Sequence, residues 1–111
     1  MRTVETIMQY LEEAVKNKTP IPPSDWLDAS QRLVVLLGDE TDVLLDLQQA
    51  VNQEKVNWIE QGKTATEAKL RAEAGETYKL FCCQRAKISR VEELIRISKI
   101  QARLRMEEYK Y

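Results

Sequence analysis

The chain has 111 residues, no histidine, and 17 Lys and Arg set against 18 Asp and Glu. That length suits one domain with a modest core. The missing histidine removes the commonest general base and a favoured metal ligand, and a net charge of −1 is far from the basic balance of a dedicated DNA-binding domain. Charged residues make up 32% of the chain, which suits exposed helices. No run of about 18 apolar residues is present, so no membrane span is expected. The opening Met1-Arg2-Thr3-Val4-Glu5 lacks the apolar run of a secretory signal, which predicts a cytoplasmic protein.

Thr3 to Lys18 reads as a helix. Val4, Ile7, Met8, Leu11, Ala14 and Val15 fall on one face, and Glu5, Glu12, Glu13 and Lys16 on the other. Thr19-Pro20-Ile21-Pro22-Pro23 stops it and forms an extended connector. Ser24 or Asp25 is expected to cap a second helix, with an apolar face of Trp26, Ala29, Leu33, Leu36 and Leu37 thickened by Val34 and Val35. Gly38 is expected to end it, and Asp39 or Thr41 to cap a third helix running to about Gln61. Leu44, Leu47, Val51 and Trp58 mark one face of this third helix, flanked by Val43, Ala50 and Ile59. Trp26 and Trp58 are expected to anchor the contact between the second and third helices.

After Gly62, Thr64-Ala65-Thr66-Glu67 has the form of a capping box. From there Leu70, Ala74, Thr77, Phe81, Gln84, Ile88, Val91, Ile95, Ser98, Ala102, Arg105 and Tyr109 recur at alternating spacings of four and three, a heptad seam. As one helix this stretch would measure roughly 67 Å at about 1.5 Å per residue, against a radius of gyration of about 13 Å for a compact domain of this size. It must break, with Gly75 the candidate point, or find a partner along part of its length. The short Gly62-Lys63 link makes it an antiparallel neighbour of the third helix, which covers only its first half. The half from Ile88 to Leu104 needs cover from the first two helices, from a second copy or from another protein. Ile88, Val91, Ile95 and Ala102 are therefore candidate oligomer-interface residues. The predicted fold is all-α: two short N-terminal helices (residues 1–38) on a long antiparallel helical hairpin (residues 39–111), all within one domain and as a homodimer.

Candidates for chemistry are few. No glycine-rich phosphate loop follows a strand. Cys82-Cys83 lacks the paired spacing of zinc sites and reads as one cysteine in the seam and one at its edge. Glu12-Glu13 and Glu92-Glu93 diverge around a helix and suit solvated faces. No enzyme, cofactor, metal or small-molecule substrate is expected. Acids outnumber bases nine to four up to Gln53, and bases outnumber acids thirteen to nine from Glu54 onward. Within that basic rear, Arg96, Lys99, Arg103 and Lys110 share a helical face and could meet phosphates or an acidic partner. The stronger explanation is a solvated face laced by Glu92 and Glu93 to Arg96 and by Glu107 to Arg103.

The order of blocks adds a resemblance. Pro23-Ser24-Asp25-Trp26-Leu27-Asp28-Ala29, Leu36-Leu37-Gly38-Asp39-Glu40-Thr41-Asp42, Gly62-Lys63-Thr64, Ala72-Glu73-Ala74 with Tyr78, and Glu92-Glu93-Leu94-Ile95-Arg96-Ile97-Ser98-Lys99 together resemble small coiled-coil-containing proteins of tailed bacteriophages and prophages. The resemblance spans most of the chain and implies a bacterial cytoplasm. It also implies binding to a host or phage protein, or an accessory role around phage DNA metabolism, and it carries no catalytic residues.

Overall fold

The computed structural model describes residues 3–17 and 20–108, except the side chains of Arg105 and Glu108. Lys18, Thr19, Tyr109 and Lys110, and the Arg105 side chain expected in the seam, lie outside that description. Among the described residues every regular element is an α-helix: α1 (Val4–Lys16), α2 (Pro23–Glu60), α3 (Ala65–Glu73) and α4 (Glu76–Glu108).

Local chemistry accounts for most boundaries. Thr3 caps α1, its hydroxyl accepting from the Thr6 N–H at 3.2 Å. The second helix starts at Pro23, one residue before Ser24 and two before Asp25, the expected caps. Proline at the first helical position has its φ already set and lacks only an N–H that would have no partner there, and the Pro22 carbonyl accepts from Asp25 and Trp26. At the far end Gly62 has φ +91°, Lys63 N–H reaches the Trp58 carbonyl and Gly62 N–H that of Ile59. These two bonds form a Schellman cap, which needs a residue at positive φ. Thr64 caps α3 through the Glu67 N–H at 3.2 Å.

The expectation of a stop at Gly38 is corrected: α2 runs unbroken for 38 residues, and the second and third helices of the sequence reading are one. Interior glycine weakens a helix by only about 1 kcal/mol. Just past it Glu40 accepts from Gln84 Nε2 at 2.7 Å and from Lys87 Nζ at 3.1 Å, so the stretch that follows Gly38 is engaged by α4. With a single α2 the expected contact between a second and a third helix does not exist: Trp26 packs instead in the cluster with α1 and α4, and Trp58 lies under the Arg71 guanidinium of α3. The fourth stretch does break, between Glu73 and Glu76. Gly75 N–H turns to the Ala72 carbonyl, and a Cβ at Gly75 would sit 3.3 Å from that oxygen and 3.6 Å from Glu54 Oε2.

The two exposed glycines of α2 and its cap have opposite expected responses. A Cβ at Gly38 meets nothing within 4 Å, so Gly38→Ala should stabilise by about 0.5–1 kcal/mol. Gly62→Ala places a side chain at φ +91° and should destabilise by about 1 kcal/mol. Urea midpoints of the two variants against the parent check both signs.

The chain forms two compact units, one from residues up to Gly38 together with Ser89 onward, the other from Asp39 to Ile88. In the first, α1 presents Val4, Ile7, Met8, Leu11 and Ala14 inward, and these cluster with Ile21, Trp26, Ala29, Leu33, Val91, Ile95 and Ala102. Val15, Val34 and Val35, expected to extend these apolar faces, are exposed. In the second unit the core is thin: Val51, Ala68, Ala72 and Ile88 are buried, while Leu44, Leu47, Trp58 and Phe81 are half-buried. Glu40 meets Gln84 and Lys87, Glu54 approaches Gly75, and the Arg71 guanidinium lies 4.9 Å over the Trp58 ring. Leu70, expected in the seam, is 63% exposed.

Candidate interaction surface

The heptad seam of α4 sits on the inner side of its helix. Ile88, Val91, Ile95 and Ala102, expected as an oligomer interface, are all buried within the single chain. Val91, Ile95 and Ala102 close the first unit's core against α1 and the start of α2. Of the three covers that the sequence left open for this edge, α1 and the start of α2 supply that of Val91, Ile95 and Ala102.

The cations of α4 lie beside and behind that seam. Lys87 is paired with Glu40, and Arg90 donates to Glu12 Oε1 at 2.7 Å. Arg85 lies 5.4 Å over the Phe81 ring. Arg96 is held by Glu93 through two donors, Nε to Oε2 at 3.2 Å and Nη2 to Oε1. These hydrogen bonds from Arg96 keep the Glu93 carboxyl below its ordinary range and raise the Arg96 guanidinium further. The partner of Arg96 is thus Glu93, three residues before it, rather than Glu92.

Lys99 and Arg103 differ from these. Neither has an ion pair among the described residues, and the expected Glu107 to Arg103 pair is not formed there. They stand one helical turn apart and flank an open groove of about 490 Å³, lined by Leu27, Lys99, Ala102, Arg103, Met106 and Glu107. Leu27 and Met106 are exposed large apolar side chains. Two cations without an ion pair thus stand beside apolar Leu27, Ala102 and Met106, with the Glu107 carboxylate also on the lining. Arg96, Lys99 and Arg103 were all legible in sequence as one face; Leu27 and Met106 were not. Met106 lies four residues after Ala102 and three after Arg103, a spacing that marks it as their neighbour. Leu27 comes from a different helix and has no such signal.

No group of three or more His, Cys, Asp or Glu is placed to hold a metal among the described residues, and no helix there is long and apolar enough to cross a membrane. Cys82 is half-buried and Cys83 exposed, both with free thiols. Comparison with protein-family models, with characterised proteins and with solved structures returns no match.

Proposed function

We propose that this chain is a non-catalytic interaction protein that works through its helical surfaces, binding an acidic amphipathic helical segment of a host or phage protein and associating with a second copy of itself. The observation that supports it is the groove: Lys99 and Arg103 unpaired beside Leu27, Ala102 and Met106, while the neighbouring cations of the same helix have partners. Helix-in-groove recognition takes apolar anchors on the floor and charge at the rim. The all-helical architecture is read as an antiparallel hairpin carrying the N-terminal helix. The setting, a phage- or prophage-type factor in a bacterial cytoplasm, rests on the resemblance in sequence.

A second reading is a nucleic-acid accessory protein using Arg96, Lys99 and Arg103, supported by their common face. With Arg96 neutralised by Glu93, two free cations remain. Each phosphate contact contributes a slope of about −0.9 in log K against log salt, so duplex binding would be weak, with a slope near −2.

The test is binding of a labelled helical peptide with Leu and Glu on one face, followed by fluorescence anisotropy. Lys99→Gln with Arg103→Gln should weaken it by about tenfold or more, two lost charge-assisted contacts being worth roughly 1.5–3 kcal/mol each at most. Arg96→Gln should change it little. Duplex DNA that binds better than the peptide at low salt, and loses binding in the triple glutamine variant, would favour the second reading.

A further inference from the structure

The carboxyl-terminal half of α2 carries a second heptad seam on its outer side. Leu45, Gln49, Asn52, Val56 and Ile59 follow spacings of four, three, four and three. Leu45 is 51% exposed, Val56 44% and Ile59 49%, and Gln49 and Asn52 are exposed as well. No residue of this seam is charged, in a chain where charged residues are 32%. It is separate from the inward face of the same helix, where Val51 is buried and Leu44, Leu47 and Trp58 are half-buried.

We infer that this seam is a self-association face on which α2 of a second copy packs in parallel and in register. The inference rests on the reading of the chain as an interaction protein and names the partner for α2. Three features point to a second copy. The apolar and polar layers match themselves when two identical helices align. Gln49 and Asn52 are self-complementary, since each side-chain amide both donates and accepts, and polar layers inside an apolar seam favour the register that pairs them with each other. The flanking charges then decide the direction. Gln48 and Lys55 lie on one edge of the seam, and Asp46, Gln53 and Glu60 on the other. Parallel strands bring opposite edges together with a five-residue offset, so Lys55 meets Glu60 of the second copy and Gln48 meets its Gln53. Antiparallel strands would set the acidic edges against each other. Neither Lys55 nor Glu60 has an ion pair within the chain among the described residues, so both remain available for this contact.

Sedimentation equilibrium over a concentration series, with site-directed cross-linking, tests this. The parent chain should approach twice its 12.9 kDa mass. Val56→Lys puts two like charges into the seam at a position exposed in the lone chain, and should raise the dimer dissociation constant by about tenfold or more, each decade being about 1.4 kcal/mol. Far-UV circular dichroism monitors folding, and Leu45→Lys replaces Val56→Lys where that variant does not fold. Ile59→Cys, in a Cys82→Ser and Cys83→Ser background, should form a disulfide-linked dimer under mild oxidation, because parallel in-register helices bring two copies of residue 59 within disulfide reach, whereas antiparallel pairing centred on the seam at Asn52 would hold them about 21 Å apart. A parent that stays monomeric throughout the series overturns the inference. So does a dimer indifferent to Val56→Lys or Leu45→Lys, or one that fails to cross-link through Ile59→Cys. Peptide binding in the α4 groove that survives any of these results leaves the interaction reading standing without the α2 dimer.

Discussion

Leu33→Ala is expected to destabilise the chain by about 2–5 kcal/mol, the range for a fully buried leucine whose removal leaves a cavity. Leu33 is 0% exposed and belongs to the cluster that holds α1, the start of α2 and the second half of α4 together. Domains of this size are stable by only about 5–15 kcal/mol, so the variant should lose a large share of its margin. The cluster is drawn from α1, the segment from Ile21 to Leu33, and α4, so the side chains around Leu33 are held by three helices. Urea unfolding followed by tryptophan fluorescence should show a lower midpoint with little change in slope. Trp26, buried in the same cluster, is the reporter, and Trp58→Phe isolates its signal. Val35→Ala, at a residue two positions on and 74% exposed, should stay within about 0.5 kcal/mol. Equal losses at the two positions would mean that the inner face of α2 has been assigned to the wrong side.

That inner face shows what periodicity can and cannot deliver here. The pattern of α1 was legible because it has one apolar stripe, Val4 to Ala14, and an acidic back. Thr64 and Gly62 were legible because their chemistry is local: a hydroxyl facing free N–H groups and a residue at positive φ. Gly38 misled because its weakening of a helix is small and the contacts made by the stretch that follows it, Gln84 and Lys87 on Glu40, come from 44 and 47 residues away. Val34, Val35 and Leu70 misled for a related reason. Where a helix carries apolar residues on more than one side, spacing alone does not say which side another helix covers. The same ambiguity left the cover of Ile88, Val91, Ile95 and Ala102 open between the N-terminal helices, a second copy and another protein, and gave no sign that the seam from Leu45 to Ile59 lies on the exposed side. On the basic face of α4, spacing identified Arg96, Lys99 and Arg103 together. Only the geometry separates Arg96, whose charge Glu93 answers, from the two that line the groove.

Ser98→Ala is expected to stabilise the protein, by about 1–2 kcal/mol. Ser98 is 0% exposed and its hydroxyl has no hydrogen-bond partner among the described residues. Burying an unsatisfied hydroxyl costs roughly 1–3 kcal/mol, and alanine adds about 0.5 kcal/mol of helix propensity. Losing one oxygen from a packed site returns part of that gain as a small void. Ser30 supplies the contrast, since it is nearly as buried but its hydroxyl donates to the Leu27 carbonyl at 2.8 Å. Ser30→Ala gives up that bond, worth about 0.5–1.5 kcal/mol net, and should therefore be neutral or destabilising. Thermal unfolding of the pair reads the difference directly. A rise in midpoint for Ser98→Ala with none for Ser30→Ala is the expected pattern. If Ser98→Ala instead lowers the midpoint as much as Ser30→Ala does, the Ser98 hydroxyl has a partner in solution and the seam of α4 is held at that layer by a hydrogen bond rather than by apolar contact alone.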